Sequence, residues 1–182
     1  LTGMDAVLIG CGLGISEGTR AVVETVLETA KCPVVLDADG ISLLSGHMDI
    51  LRGRRAPNVL TPHDGEFARV GGVIGENRMA SAAEFARENG CILLLKGHQT
   101  CVTDGKTGYR NRTGNSGMAV GGSGDVLAGV IAGLLGQGMK TLEAAACGAW
   151  LHGAAGDLCA RELGQRAMLP TDMLEALPRL LK

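Results

Sequence analysis

The sequence predicts an α/β protein: a mainly parallel central sheet flanked by helices, with an antiparallel hairpin at one edge. Three observations carry this. Short continuous apolar runs, the mark of strands buried on both faces, alternate with segments of helical periodicity. The chain is rich in glycine, 29 of 182 residues, without a repeat, as a fold with many tight turns and close backbone approaches requires. Polar residues gather where the apolar runs end, which is where open parallel sheets bind ligands.

The elements follow in order. Ala6 to Ile9 is a short strand, followed by a glycine-rich turn and a helix from about Glu17 to Ala30. Val22, Val23, Val26, Leu27 and Ala30 give that helix one apolar stripe. Pro33 introduces a second strand, Val34-Val35-Leu36, which ends at Asp37-Ala38-Asp39-Gly40. A third, Asn58 to Leu60, ends at Thr61-Pro62-His63-Asp64. A helix from about Glu76 to Glu88 leads into the strand Cys91 to Lys96. Between Gln99 and Asn111 the turn residues Asp104-Gly105-Lys106 separate two short strands, the expected edge hairpin. The last third is helical, over about Ser123 to Gly136, Leu142 to Leu163 and Thr171 to Leu181. Ala144, Ala145, Gly148, Ala149 and His152 form a small-residue face on the second of these, and His152 reads as a hydrogen-bonded core histidine. No linker or repeat divides the chain, so residues 1–182 are expected to form a single domain.

Composition narrows the function. The formal net charge is −2, from 17 Lys and Arg against 19 Asp and Glu, which gives no reason to expect nucleic acid as a partner. The only aromatic residues are Phe67, Phe85, Tyr109 and Trp150, too few for a base-stacking surface. The longest apolar helical stretch, Val126 to Leu135, is too short to cross a bilayer, so no membrane role is expected. Six cysteines without a CxxC pair or zinc-ligand spacing sit mostly in apolar runs, which points to reduced, buried thiols and a cytoplasmic protein.

Gly10-Cys11-Gly12-Leu13-Gly14 follows a strand and precedes a helix, with Asp37 ending the next strand. It imitates the dinucleotide fingerprint G-x-G-x-x-G, but the third glycine falls one place early and Ile15 takes its slot. It reads instead as a loop whose bare backbone lets a ligand lie against it.

The strongest signal is the run Gly114 to Asp125, ending in Gly121-Gly122-Ser123-Gly124-Asp125 immediately before an apolar helix. Glycines there leave amides unpaired at the positive end of the helix dipole, which makes an anion site. No Gly-Lys-Ser/Thr follows, so this is not a P-loop. A carboxylate beside a phosphate site is unfavourable unless it serves a purpose, and Asp125 is suited to take a proton from an attacking hydroxyl. The alternative is that Asp125 merely favours the helix N-terminus, worth about 0.3–1 kcal/mol.

Gly121 to Asp125 resembles the G-x-G-D anion hole of ribokinase-like kinases. The whole series is similar to the ADP/ATP-dependent NAD(P)H-hydrate dehydratase family. It comprises Gly10 to Gly14, Asp37-Ala38-Asp39, Leu60 to His63 with Gly65-Glu66, Lys96-Gly97 to Thr100, and Asn115-x-Gly117-Met118-Ala119 into Gly124-Asp125. The resemblance implies a ribokinase-like fold and repair of NADHX and NADPHX, the hydrated forms of the reduced nicotinamide cofactors. ADP or ATP, with Mg²⁺, phosphorylates the ring hydroxyl, and phosphate then leaves as the double bond is restored.

Carried over by resemblance, Asp125 is the base, and Gly121, Gly122, Ser123 and Gly124 hold the transferring phosphate. Lys96, Gly97, His98, Gln99 and Thr100, with Gly124, line the nucleotide. Gly12, Gly14, His63, Asn115 and Asp125 contact the hydrated cofactor. Glu66 lies where related kinases carry a Mg²⁺-organising acid, although His63 replaces their Asn; Cys11 stands where the family usually has Pro. The bland readings are a helix-start residue for His63, a strand-end charge for Lys96 and a solvated first-turn acid for Glu66.

The family's domain has a further N-terminal part before the strand at Ala6. The resemblance therefore implies a truncated domain with an open sheet edge, covered by a partner chain in a homo-oligomer. It also implies an epimerase partner, fused or separate. A ribokinase-like kinase that releases a stable phosphorylated product, and a nucleotide-binding module without turnover, are the competing functions.

Overall fold

In the computed structural model, which describes residues 2–181, six strands lie side by side in sequence order. They are β1 (Val7–Ile9), β2 (Val34–Leu36), β3 (Asn58–Leu60), β4 (Ile92–Leu95), β5 (Cys101–Thr103) and β6 (Gly108–Arg110). β1 to β4 are parallel, with Val34 opposite Val7 and Asn58 and with Leu60 opposite Leu93. The expected hairpin is there: β5 runs antiparallel to β4 and β6 antiparallel to β5. β1 is only half-buried and ends the sheet, with no strand beyond it among the described residues.

Side chains alternate across the sheet and split the core in two. Val34, Leu36, Leu60, Leu93 and Leu95 pack on one face against Val23, Leu27, Ile41, Phe67 and Phe85. That layer contains α1 (Glu17–Thr29), α2 (Asp39–Ser42), α3 (Asp49–Arg52), α4 (Asp64–Arg69) and α5 (Arg78–Asn89). Val35, Val59, Ile92, Leu94 and Val102 face Leu127, Ile131, Ala144 and Ala149 in the other layer. It is made of α6 (Ser123–Gly136), α7 (Thr141–Leu163) and α8 (Pro170–Leu180). The continuous apolar strands of the sequence thus serve two cores at once.

Local chemistry sets the helix ends. Ser16 caps α1 by accepting from the Thr19 amide at 3.1 Å, while its own amide donates to Thr19 Oγ1 at 2.9 Å. Gly90 closes α5 in the left-handed conformation. The small-residue face of α7 does what its composition predicts: a Cβ at Gly148 would lie 2.6 Å from Ile131 Cγ1, so α6 and α7 meet closely only because none is present. The short helices α2 and α3 and the 3₁₀ turn Ser116–Met118 have no counterpart in the sequence reading, because segments of three or four residues carry too little periodicity; α4 was foreshadowed only by the readings of His63 as a helix start and Glu66 as a first-turn acid.

Candidate active site

The polar ends of β1, β2, β3 and β4 converge beside the first turn of α6. Asp37, at the end of β2, is 1% exposed. Its Oδ1 accepts from Thr61 Oγ1 at 2.8 Å and from Lys96 Nζ, beyond β4, at 2.8 Å. Ala38 follows at φ 49° and ψ −120°, a conformation that costs an L-residue on the order of 1–3 kcal/mol. Beyond it, Asp39 turns to the β1–α1 loop, where Oδ2 accepts the Gly14 amide at 2.8 Å. Two carboxylates two residues apart are therefore aimed at different tasks.

Lys96 also faces Glu66, with Nζ 3.7 Å from Oε2. Glu66 is 7% exposed and closes a reciprocal cap on α4. Its Oε2 accepts the His63 amide at 2.9 Å, while His63 Nδ1 accepts from the amides of Gly65 and Glu66 at 3.0 and 3.3 Å. With Nδ1 an acceptor, Nε2 carries the ring proton and faces Glu66 Oε1 at 3.4 Å. His63 is thus the start of a helix and also a wall of the cleft. Glu66 thus sits among main chain, ammonium and imidazole, with one oxygen held by the His63 amide and the other facing the ring.

The mouth of α6 has the expected form. Gly122 sits at φ 90°, and Ser123 N–H donates to Val120 O at 3.2 Å. The amides of Gly121, Gly122, Gly124 and Asp125 have no hydrogen-bond partner among the described residues. A Cβ on Gly124 would lie 3.3 Å from Lys96 Nζ and 3.5 Å from Asp37 Oδ2. A cation, a buried carboxylate and a free helix mouth therefore share one small space.

Asp125 is exposed, and its carboxylate, Asp37 and the Cys11 thiol lie within 4.8 Å of one another. Cys11 Sγ is 3.8 Å from Asp37 Oδ2. Burial first, then the charges of Asp37 and Asp125, push this thiol up to about 12, so it stands neutral beside both acids.

A cleft of about 1080 Å³ opens against this mouth. It brings together Lys96, Gly97, His98, Gln99, Thr100, His63, Asn115, Ser123 and Gly124. Gly121, Gly122, Asp125 and Glu66 are not among its walls, and Gly12 and Gly14 lie in the β1–α1 loop that also carries Cys11, the neighbour of Asp125. Asn115 is largely committed to its own loop: Oδ1 accepts the Gly117 amide and Nδ2 donates to Asp157 Oδ1, both at 3.0 Å.

Three contacts here escaped the sequence reading. Asp37 was visible as a strand end, but its bond to Lys96 joins positions 59 apart. Asp157, whose Oδ2 also accepts the Gly114 amide at 2.8 Å, gives no local signal inside α7. His152, read as a hydrogen-bonded core histidine, is buried and finds its partner in the buried Ser123, Nε2 to Oγ at 3.2 Å.

Comparison with known proteins settles the family. Residues 1–179 match the model of the NAD(P)H-hydrate dehydratase family. The chain belongs to this family. It is 48% identical over its whole length to the bifunctional NAD(P)H-hydrate repair enzyme Nnr of Moorella thermoacetica, covering 35% of that protein. Over 91% of its length it is 40% identical to the ADP-dependent (S)-NAD(P)H-hydrate dehydratase of Neisseria meningitidis, covering 59% of it. The chain thus spans between about one third and three fifths of these relatives. Among solved structures, the ADP/ATP-dependent NAD(P)H-hydrate dehydratase of Bacillus subtilis, co-crystallised with ATP and Mg²⁺, superposes with a TM-score of 0.88 at 34% identity. That match covers all of this chain and 65% of the other. A ribokinase-like superfamily protein of Enterococcus faecalis follows at 0.84 and 32%, over 97% of this chain and 62% of its own, so the fold is ribokinase-like. No helix among the described residues is long and apolar enough to cross a membrane.

Proposed function

We propose that this chain carries the catalytic core of an ADP- or ATP-dependent dehydratase that returns (S)-NAD(P)H-hydrate to NAD(P)H. The observation that carries the reading is the meeting of Asp125, the unpaired amides of Gly121, Gly122, Gly124 and Asp125 and the Lys96 ammonium at one helix mouth. Asp125 takes the proton of the ring hydroxyl, whose oxygen forms a bond to the terminal phosphorus of the nucleotide as the bridging P–O bond breaks. The amides and Lys96 hold the charge that spreads over the moving phosphoryl oxygens. Phosphate then leaves with the C–O electron pair, and loss of a proton from the neighbouring carbon restores the double bond.

Nucleotide occupies the cleft lined by Lys96 to Thr100, and the hydrated cofactor enters from Gly12 and Gly14 and meets His63 on the wall of that cleft. Asp37 holds Lys96 against the phosphoryl path, and Asp157 with Asn115 fixes the loop that borders the nucleotide. Mg²⁺ comes with the nucleotide; the charge contributed by this chain is that of Lys96. The bifunctional relatives support an epimerase as partner, the half-buried edge strand β1 supports a further chain or segment covering it, and the free thiols support a cytoplasmic setting.

The test is product analysis with NADHX, ADP and Mg²⁺, on this chain and on a version extended at its N-terminus. Inorganic phosphate released in step with NADH absorbance is the expected result. A stable phosphorylated hydrate without phosphate would make the protein a kinase, and tight ADP binding without turnover in either version would make it a binding module.

A further inference from the structure

Ser123 opens α6 and forms part of the nucleotide cleft, yet it is only 6% exposed. Its amide is spent on Val120 O, so the hydroxyl is what it can offer a ligand. That hydroxyl lies 3.2 Å from Nε2 of His152, in the middle of α7 and 8% exposed. His152 reaches it because α7 is stripped of side chains nearby: Gly148 packs on Ile131, and Gly153 takes the Thr113 side chain. Burial, helped by the charge of Lys96, lowers the His152 pKa to about 4, although the Ser123 backbone acts against this. The imidazole is therefore neutral and has two possible tautomers.

Nε2 has Ser123 Oγ as partner in both, and what differs is the direction of that bond. With the proton on Nδ1, Nε2 would consume the Ser123 proton. The hydroxyl would present only lone pairs to an arriving phosphate. A proton on Nε2 satisfies the pair and leaves the Ser123 O–H free to donate into the cleft.

We infer that His152 is a positioning residue that donates from Nε2 to Ser123 Oγ and so turns the Ser123 hydroxyl into a side-chain donor for the transferring phosphoryl group. The inference rests on the reading of the α6 mouth as the phosphoryl site. It adds to the backbone amides one donor whose direction is set from a second helix.

Two measurements on the full chain test it. In ¹⁵N spectra of histidine-labelled protein at neutral pH, His152 should show the Nε2–H tautomer, and ADP should shift its signals. An Nδ1–H tautomer, or signals indifferent to ADP, would overturn the inference even if turnover with NADHX were never observed. In kinetics, His152→Leu should lower kcat by about 100-fold, as loss of one transition-state donor does, with much less change in the KM for ADP. His152→Gln, whose amide can still donate to Ser123, should recover most of that loss. Equal losses in the two variants, both folded by circular dichroism, would mean that His152 only fills space. Absence of turnover in the wild type would count against the dehydratase reading alone and leave the spectroscopic arm decisive.

Discussion

The Lys96 ammonium lies 2.8 Å from Oδ1 of Asp37, a carboxylate that is 1% exposed. The bond joins the ends of β2 and β4 across the intervening β3, and Thr61 of the middle strand's end donates to the same oxygen. Three strand ends are thereby tied at the point where α6 begins, and the position of the Lys96 cation beside the helix mouth is fixed by the sheet rather than by a loop.

Breaking this pair should cost stability as well as activity. Lys96→Met leaves a buried carboxylate without its counter-ion, which typically costs about 3–5 kcal/mol. Lys96 keeps some exposure, so the lower end is expected, read by urea denaturation. The double variant Lys96→Met/Asp37→Asn should recover much of the stability and none of the turnover. Equal stability of the single and double variants would mean that an unpaired Asp37 carboxylate is not what destabilises Lys96→Met.

Gly124→Ala separates propensity from function. In a helix alanine is favoured over glycine by about 1 kcal/mol, so the fold should lose little. The new Cβ, however, would sit 3.3 Å from Lys96 Nζ and displace the ammonium from the phosphoryl path. Turnover should fall about 100-fold with Tm nearly unchanged, since small misplacements at a reacting centre have effects of that size. A large drop in Tm would show instead that the glycine serves packing.

Stability should decline as pH falls from about 6.5 toward 4. His152 has its folded-state pKa lowered to about 4 against 6.5 when free. In that window the unfolded chain binds a proton that the native state refuses, so stability rises with pH and levels off above 6.5. The effect is at most about 3 kcal/mol. Denaturation curves at pH 4.5 and 7.5 should show it, and His152→Gln should flatten the dependence in that range.

Cys11 should be the half-buried thiol that resists alkylation. Its pKa of about 12 leaves almost no thiolate at pH 8. Iodoacetamide should label it far more slowly than a free cysteine, and Asp125→Asn, which removes one of the charges raising the pKa, should speed the reaction. An unchanged rate would place the Asp125 carboxylate away from the thiol.

What was legible in the sequence had local grammar. Buried strands show as Val34-Val35-Leu36 or Cys91 to Leu95, the hairpin turn as Asp104-Gly105-Lys106, and the helix mouth as glycines before an apolar run. The sequence and its family resemblance also pointed to part of the cleft wall, Lys96 to Thr100, Asn115, Ser123 and Gly124. What the sequence hid were the relations between such residues. Asp37 with Lys96, Ser123 with His152 and Asn115 with Asp157 each join residues 29 to 59 positions apart, and no periodicity encodes such pairings. Glu66 shows the converse: an acid in a first turn reads as solvated, yet it is buried because His63 and Lys96 close over it.

Asp125 carries the central claim, and a single-turnover experiment on Asp125→Asn tests it most directly. The isosteric amide keeps the helix mouth and cannot accept the hydroxyl proton. ADP affinity by calorimetry should stay close to that of the wild type, while NADH recovery from NADHX falls by about 100-fold to 10,000-fold, the range associated with loss of a general base. Recovery at the wild-type rate in a variant that still binds ADP would contradict the account.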